Sequence, residues 1–316
     1  MSALSALVFN MHRLSTDDGP GLRDTFFLKG CALRCAWCHN PESFSPGPEI
    51  WWLAQRCIGA GDCIRDCPEQ ALALTARGLV IDRRRCTGCG LCVQSCPSKA
   101  IEPLGLRWTV AQLAREALKE RAFYRNSGGG VTVSGGEPCL QAKFVAAFFA
   151  ACREQGVHTA LDTCGFPPWD DWEPALEHTD LVLYDLKEID SERHRAFTGV
   201  SNERICSNLR RLAEYQERHQ GRPELWIRTP LIPDYTATAE NISGIGGLLA
   251  KIIGERLGRW ELCAFNNTCQ AKYDKLGLGW PLKGKSLLNR ERGEQLLQAA
   301  RRSVGRPATV HLTGLI

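Results

Sequence analysis

Residues 23–40 read RDTFFLKGCALRCAWCHN. The run TFFL, ending at Leu28, is apolar and aromatic enough for a strand, and Gly30 closes it. The thiols of Cys31, Cys35 and Cys38 then follow with the spacing C-x3-C-x2-C. Three closely spaced thiolates can hold three irons of a cube and leave the fourth iron an open position, as a catalytic metal requires. A structural zinc ion would want a fourth protein ligand. His39 offers an imidazole, but the adjacent Cys38 and His39 do not easily reach one tetrahedral metal. The stretch predicts a strand running into a loop that carries a cluster.

Further strands are expected in VTVS ending at Ser134, HTALD at Asp162, LVLYDL at Leu186, LWIR at Arg228 and ELCAF at Phe265. Helical patterns lie between several of them. Val110, Leu113, Ala114 and Ala117 make an apolar stripe behind the capping signal Thr109 to Gln112, and Phe144, Val145, Phe148 and Phe149 make another. Repeated βα units predict a parallel sheet, and six or so suit an α/β fold, a partial (β/α)6 barrel with its site at the C-terminal strand ends.

One internal repeat interrupts this pattern: CIGAGDCIRDCPEQAL from Cys57 and CTGCGLCVQSCPSKAI from Cys86, offset by 29 residues. SFSPGPEI and IEPLGLRW bound it with Pro and Gly. The chain therefore divides into residues 1–48, a two-cluster ferredoxin-like insert over 49–105 with repeats about 49–77 and 78–105, and residues 106–316, which complete the barrel. Cys86, Cys89, Cys92 and Cys96, with Pro97, match C-x2-C-x2-C-x3-C-P, in which the fourth cysteine serves the other cluster. The first half supplies Cys57, Cys63, Cys67 and Pro68 but has Ala60 opposite Cys89. Cross-ligation then gives Cys67, Cys86, Cys89 and Cys92 a complete 4Fe-4S cluster. It leaves Cys57, Cys63 and Cys96 with a 3Fe-4S cluster, a 4Fe-4S cluster completed by solvent or a non-cysteine ligand, or none. Asp62 is close in sequence, but an Asp at such a place is ordinarily solvated. Electron relay and metal-held folding are both open roles for the insert.

The chain has 316 residues, 44% hydrophobic and 23% charged, and a net charge of +4. Arg83, Arg84 and Arg85 form its short basic stretch, which reads as a solvated turn, so nucleic acid is not an expected partner. No 18 apolar residues follow one another and no basic segment precedes an apolar run at the start, so a soluble, cytoplasmic protein without membrane contact is expected. Sixteen cysteines without an export signal argue for metal ligation over disulfides. Six of them, Cys139, Cys152, Cys164, Cys206, Cys263 and Cys269, lack ligand spacing, and Cys152 sits on an apolar helix face.

The cysteine loop, with Trp37 before its third cysteine, resembles the radical S-adenosylmethionine (SAM) superfamily. The resemblance implies that the open iron binds the amino and carboxylate groups of SAM, and that an electron splits SAM into methionine and a 5′-deoxyadenosyl radical. It implies SAM contacts from Trp37, Cys38 and His39. SGGEP resembles the motif that holds the SAM amino group, through Gly135, Gly136 and Glu137. DTCG resembles a segment whose carboxylate, here Asp162, lies near a monovalent cation and the SAM carboxylate. DLK resembles a SAM-contacting segment, here Asp185, Leu186 and Lys187. Where the family commonly has His in a segment like LLPYH, this chain reads LCAFN and offers Asn266, which hydrogen-bonds but does not titrate near neutral pH.

The stretch STDDGPGLRDTFFLKGC resembles the signature of glycyl radical enzyme activating enzymes. With GGGVTVSGGEP, DTCG, YDLK, HRAFTG and RTPLIPDYT, the likeness extends over nearly all of the chain outside the repeat. It implies hydrogen-atom abstraction from a backbone glycine of a large partner enzyme in anaerobic metabolism. It also implies a flavodoxin or ferredoxin as electron donor and a partner-facing loop with Asp18, Gly19 and Arg23. Two rivals are a radical SAM enzyme acting on a small molecule or peptide, and a multi-cluster electron carrier. The carrier leaves SGGEP and DLK without a purpose.

Overall fold

A computed structural model describes residues 4–315. Its strands are β1 (Ser5–Ser15), β2 (Arg23–Leu28), β3 (Glu49–Trp52), β4 (Leu72–Thr75), β5 (Gly78–Ile81), β6 (Ile101–Leu104), β7 (Leu106–Thr109), β8 (Gly130–Gly135), β9 (His158–Thr163), β10 (Leu181–Asp185), β11 (Glu224–Leu231), β12 (Arg259–Ala264) and β13 (Val310–Thr313). Nine of them form one sheet in the order β13-β12-β11-β10-β9-β8-β2-β1-β7. From β2 to β13 every neighbouring pair is parallel. Successive strands lie side by side, so the crossover helices all fall on one face and the sheet rolls around the other.

Alternation along each strand sorts the residues. Val131, Val133, Leu161, Val182, Tyr184, Ile227, Trp260 and Leu262 face outward into the main apolar core. Ser134, Asp162, Asp185, Arg228, Glu261 and Cys263, one position out of phase, face a cavity of about 910 Å³. The cavity reaches from Phe27 on β2 to Thr313 on β13, the outermost of the parallel strands. The expected helices pack on the outer face. Thr109 and Gln112 form a complete capping box ahead of the helix Val110–Ala117. Phe144, Val145, Phe148, Phe149 and Cys152 of the helix Ala142–Glu154 are buried, each large side chain contributing about 2 kcal/mol of apolar burial.

All six expected strands are present. Three more join the sheet: β13, parallel to β12, and the antiparallel edge pair β1 and β7. The segment between β2 and β7 holds two small antiparallel ribbons, β3 with β6 and β4 with β5, over a core of Ile50, Leu72, Leu79, Cys92 and Ile101. The expectation of a solvated turn at Arg83 to Arg85 fails at Arg83. Its guanidinium donates to the carbonyls of Leu276 (3.1 Å) and Ile50 (3.2 Å) and pairs with Glu49 at 3.3 Å. Arg84 and Arg85 are exposed.

Candidate active site

The cavity is walled at one end by the loop after β2, and Cys31, Cys35, Trp37, Cys38 and His39 all line it. Backbone hydrogen bonds seat that loop. The Arg34 and Ala36 N–H groups donate to the carbonyls of Thr198 and Phe197 at 2.7 and 3.0 Å, so the HRAFTG segment serves as its cradle. Tyr273 donates its hydroxyl to the Cys38 carbonyl at 3.0 Å. Trp37, 7% exposed, packs among Phe197, Tyr235, Tyr273 and Trp280.

Burial pushes the Cys31 thiol up to about 12, and burial likewise raises Cys35 and Cys38. Such thiols ionise only when a metal displaces the proton. Three thiols on one loop can hold three irons of a cube and leave the fourth iron open toward the cavity.

The strand ends meet this loop closely. A Cβ on Gly136 would lie 2.1 Å from the Gly30 carbonyl oxygen, and one on Gly135 2.4 Å from the Leu28 nitrogen. Only glycine lets SGGEP pass so near the cluster loop, and the Glu137 N–H seals the contact by donating to Gly30 at 2.7 Å. Glu137 itself points away from the cavity. Its carboxylate, 1% exposed, accepts from the Cys139 N–H (2.9 Å), the Thr163 hydroxyl (2.7 Å) and the Cys164 N–H (2.8 Å). Leu186 also turns away, into the main core, while its N–H donates to the Arg228 carbonyl.

Asp162, Asp185, Lys187 and Asn266 do line the cavity. Asp162 accepts from the Ser134 hydroxyl at 2.6 Å and lies 3.7 Å from Arg228. Burial pushes its carboxyl up to about 7, Arg228 and Ser134 offsetting only part of the cost and Asp185 adding to it. Lys187 is paired with Asp185. Burial would lower the Lys187 ammonium, but the paired Asp185 outweighs it and holds the charge. The Asn266 carbonyl is 3.1 Å from His39 Nε2, and burial lowers that imidazole into its neutral form.

At the opposite end the loop Thr16–Pro20 closes the cavity. Asp18 accepts from the hydroxyls of Ser15 and Thr25, and its carbonyl accepts from Thr132. The expectation that Arg23 faces a partner is corrected. It is fully buried, donating to Thr132 Oγ1, the Pro20 carbonyl and the Val131 carbonyl, so it anchors the loop from behind.

Arg228, Glu261 and Cys263 escaped sequence reasoning. Arg228 donates to the Asp17 carbonyl at 3.1 Å and sits 3.9, 3.7 and 3.5 Å from Asp18, Asp162 and Glu261, tying the Asp17–Asp18 loop to β9 and β12. The available signal was their polar phase in the strands LWIR and ELCAF.

The insert presents two hollows. Cys67, Cys86, Cys89 and Cys92 line one, together with Ile50. Cys57, Cys63 and Cys96 line the other, with Ala60 and Asp62. The two halves of the repeat are thus crossed as the spacing requires. Asp62 pairs with Arg65 at 2.7 Å.

Comparison with known proteins agrees with this geometry. The radical SAM superfamily profile matches residues 83–241, and that of a 4Fe-4S dicluster domain matches residues 56–100. The chain is 37% identical to the (2S)-3-sulfopropanediol dehydratase activating enzyme of Klebsiella oxytoca over 88% of this chain and 87% of that one. It is 38% identical to the trans-4-hydroxy-L-proline dehydratase activating enzyme of Clostridioides difficile over 86% and 88%. A radical SAM methyltransferase structure from Sphaerobacter thermophilus shares the fold, with TM-score 0.53 and 15% identity over 98% of this chain and 78% of that one. The fold and site define a radical SAM enzyme. Within that superfamily the chain belongs to the glycyl radical enzyme activating enzymes. No helix among the described residues is long and apolar enough to cross a membrane.

Proposed function

We propose that this chain turns a backbone glycine of a large partner enzyme into a glycyl radical. The observation that carries this reading is one continuous cavity, lined at one end by the three thiols and at the other by the Asp17–Pro20 loop, in a chain whose relatives are named as activating enzymes. Held at the open iron and reduced by one electron, SAM supplies methionine and a 5′-deoxyadenosyl radical that takes the glycine Cα hydrogen, leaving 5′-deoxyadenosine.

Around that chemistry the chain positions and neutralises. Cys31, Cys35 and Cys38 would hold the cluster. Bare backbone at Gly135 and Gly136 would receive the SAM amino group, with Trp37, His39, Asp185, Lys187 and Asn266 around the rest. Asp162 would share a monovalent cation with the SAM carboxylate, a cation that relieves the cost of burying its charge. Asp18 and Gly19 would meet the partner's glycine loop. Glu137 and Leu186 act by positioning, because neither side chain lines the cavity.

In the insert, drawn at 49–105, Cys67, Cys86, Cys89 and Cys92 would bind a 4Fe-4S cluster. Cys57, Cys63 and Cys96 would bind a 3Fe-4S cluster or a 4Fe-4S cluster with a non-cysteine ligand. A flavodoxin or ferredoxin in the cytoplasm would deliver the electron. The test is anaerobic mixing of the reduced protein and SAM with a candidate glycyl radical enzyme from the same organism. A glycyl doublet in the EPR spectrum is expected. SAM cleavage without that doublet, both proteins being intact, overturns the assignment in favour of a small-molecule or peptide substrate.

A further inference from the structure

The helix Gln270–Leu276 touches both the cluster loop and the insert. On one side Tyr273 donates to the Cys38 carbonyl at 3.0 Å, and Lys272 reaches Asn40 Oδ1 and Glu42 at 2.9 and 2.7 Å. On the other side the Leu276 carbonyl accepts from Arg83 at 3.1 Å, and Lys275 lies over the Trp51 ring at 5.0 Å. Tyr273 and Leu276 are less than one helical turn apart, a rise of about 4.5 Å. Arg83 stands three residues before Cys86 and also donates to the carbonyl of Ile50, which lines the four-thiol hollow. One turn of helix, hydrogen-bonded at both ends, therefore joins the backbone carbonyl of Cys38 in the SAM loop to the edge of the four-thiol site.

The three-thiol site lies farther out. The ribbon β3–β6 is rooted on the barrel where Lys29 pairs with Glu49 at 2.6 Å, and Glu49 is opposite Leu104. Ile50, next to that root, lines the four-thiol hollow; Trp52 and its partner Ile101, at the outer end, line the three-thiol hollow. Two residues of strand place the second contact about 7 Å farther from the root. Ala60 removes a thiolate there and is itself exposed. Cys89 of the four-thiol site is also exposed, so that site has its own face to a reductant.

We propose that the SAM cluster is reduced from the Cys67, Cys86, Cys89, Cys92 site alone, across the Arg83–Leu276 and Tyr273–Cys38 bridge, and that the three-thiol site is a side branch. This rests on the reading that the chain reduces a SAM-bound cluster. The step is a single electron transfer. The reductant gives one electron to the four-thiol cluster, that cluster is reoxidised as the SAM cluster is reduced, and no proton or atom moves. Arg83 and Tyr273 are positioning residues in it.

The test follows, by freeze-quench EPR under dithionite, the reduced-cluster signal that changes when SAM is added, in the reconstituted full chain. Ala60→Cys, which supplies the missing thiol, is expected to raise the iron content without changing the rate of that signal. Tyr273→Phe is expected to slow it about tenfold, the usual size of an effect from a partner of a metal ligand, at unchanged iron content and midpoint potential. Arg83→Gln gives a second reading of the same bridge. Acceleration by Ala60→Cys, or parent rates in both bridge variants with full iron, overturns the proposal. SAM-cluster reduction without a glycyl radical in the partner would sink the functional reading and leave this one standing.

Discussion

Glu137 shows how far a motif letter can be from a ligand contact. It belongs to SGGEP, yet its two oxygens are spent on two backbone N–H groups and a hydroxyl inside the protein. Glu137→Gln sets an amide NH2 against at least one of those donors. It should lower stability by about 2 kcal/mol, read as a lower denaturation midpoint of the SAM-free protein; an unchanged midpoint would mean that these hydrogen bonds add no net stability. Asp162, in contrast, faces the cavity and carries a pH signature. Its folded pKa is raised to about 7, so the folded state holds the proton more tightly than the unfolded chain. The stability this contributes is complete below the ordinary Asp value near 4 and is lost as pH rises through about 7. Asp162→Asn cannot titrate, so its melting temperature relative to the parent should climb from about pH 4 to about pH 7 and then level. Adding a monovalent cation should shrink the gap, and a gap independent of pH would refute the raised pKa.

At the scale of elements, the decisive contact is between the turn after β8 and the loop after β2. Gly136→Ala drives a methyl into the Gly30 carbonyl and should weaken SAM binding about 10- to 100-fold, measured by the SAM-dependent change in the cluster EPR signal. Gly247, in the helix Ala239–Ile252, is the contrasting case, since nothing lies within 4 Å of a Cβ built there. Gly247→Ala should stabilise the protein by about 0.5–1 kcal/mol in a thermal melt, with SAM binding unaltered. The parallel strands β2 and β8 to β12 were legible because short runs rich in apolar and β-branched residues lie between turn signals and helical patterns. β13 was not, because four residues, VHLT, carry too little pattern, and β1 and β7 take their places from pairing with each other and with β2.

For the whole molecule, the insert and the barrel differ in what holds them. The barrel has a large apolar core on the outer face of its sheet, whereas the insert rests on Ile50, Leu72, Leu79, Cys92 and Ile101. Metal binding is then expected to supply much of the folding free energy of the insert. Removing iron with a chelator under anaerobic conditions should expose the amides of residues 49–105 to rapid hydrogen exchange while β8 to β12 stay protected. Equal loss of protection in both would show that the barrel also depends on its cluster.

Residues 57–96 declared two crossed ligand sets, and residues 31–38 declared three thiols on one loop, because short spacings restrict which side chains a local backbone can bring together. The short apolar runs TFFL, VTVS and LVLYDL, separated by helical patterns, declared a parallel sheet for a similarly local reason. Tertiary structure alone decided which motif residues look into the cavity. It turned Glu137, Leu186 and Arg23 away, brought in Arg228 and Glu261, and laid the helix Gln270–Leu276 between the SAM loop and the insert. The direction of those side chains and the place of that helix come from packing between segments far apart in the chain, and no spacing along the chain encodes such packing.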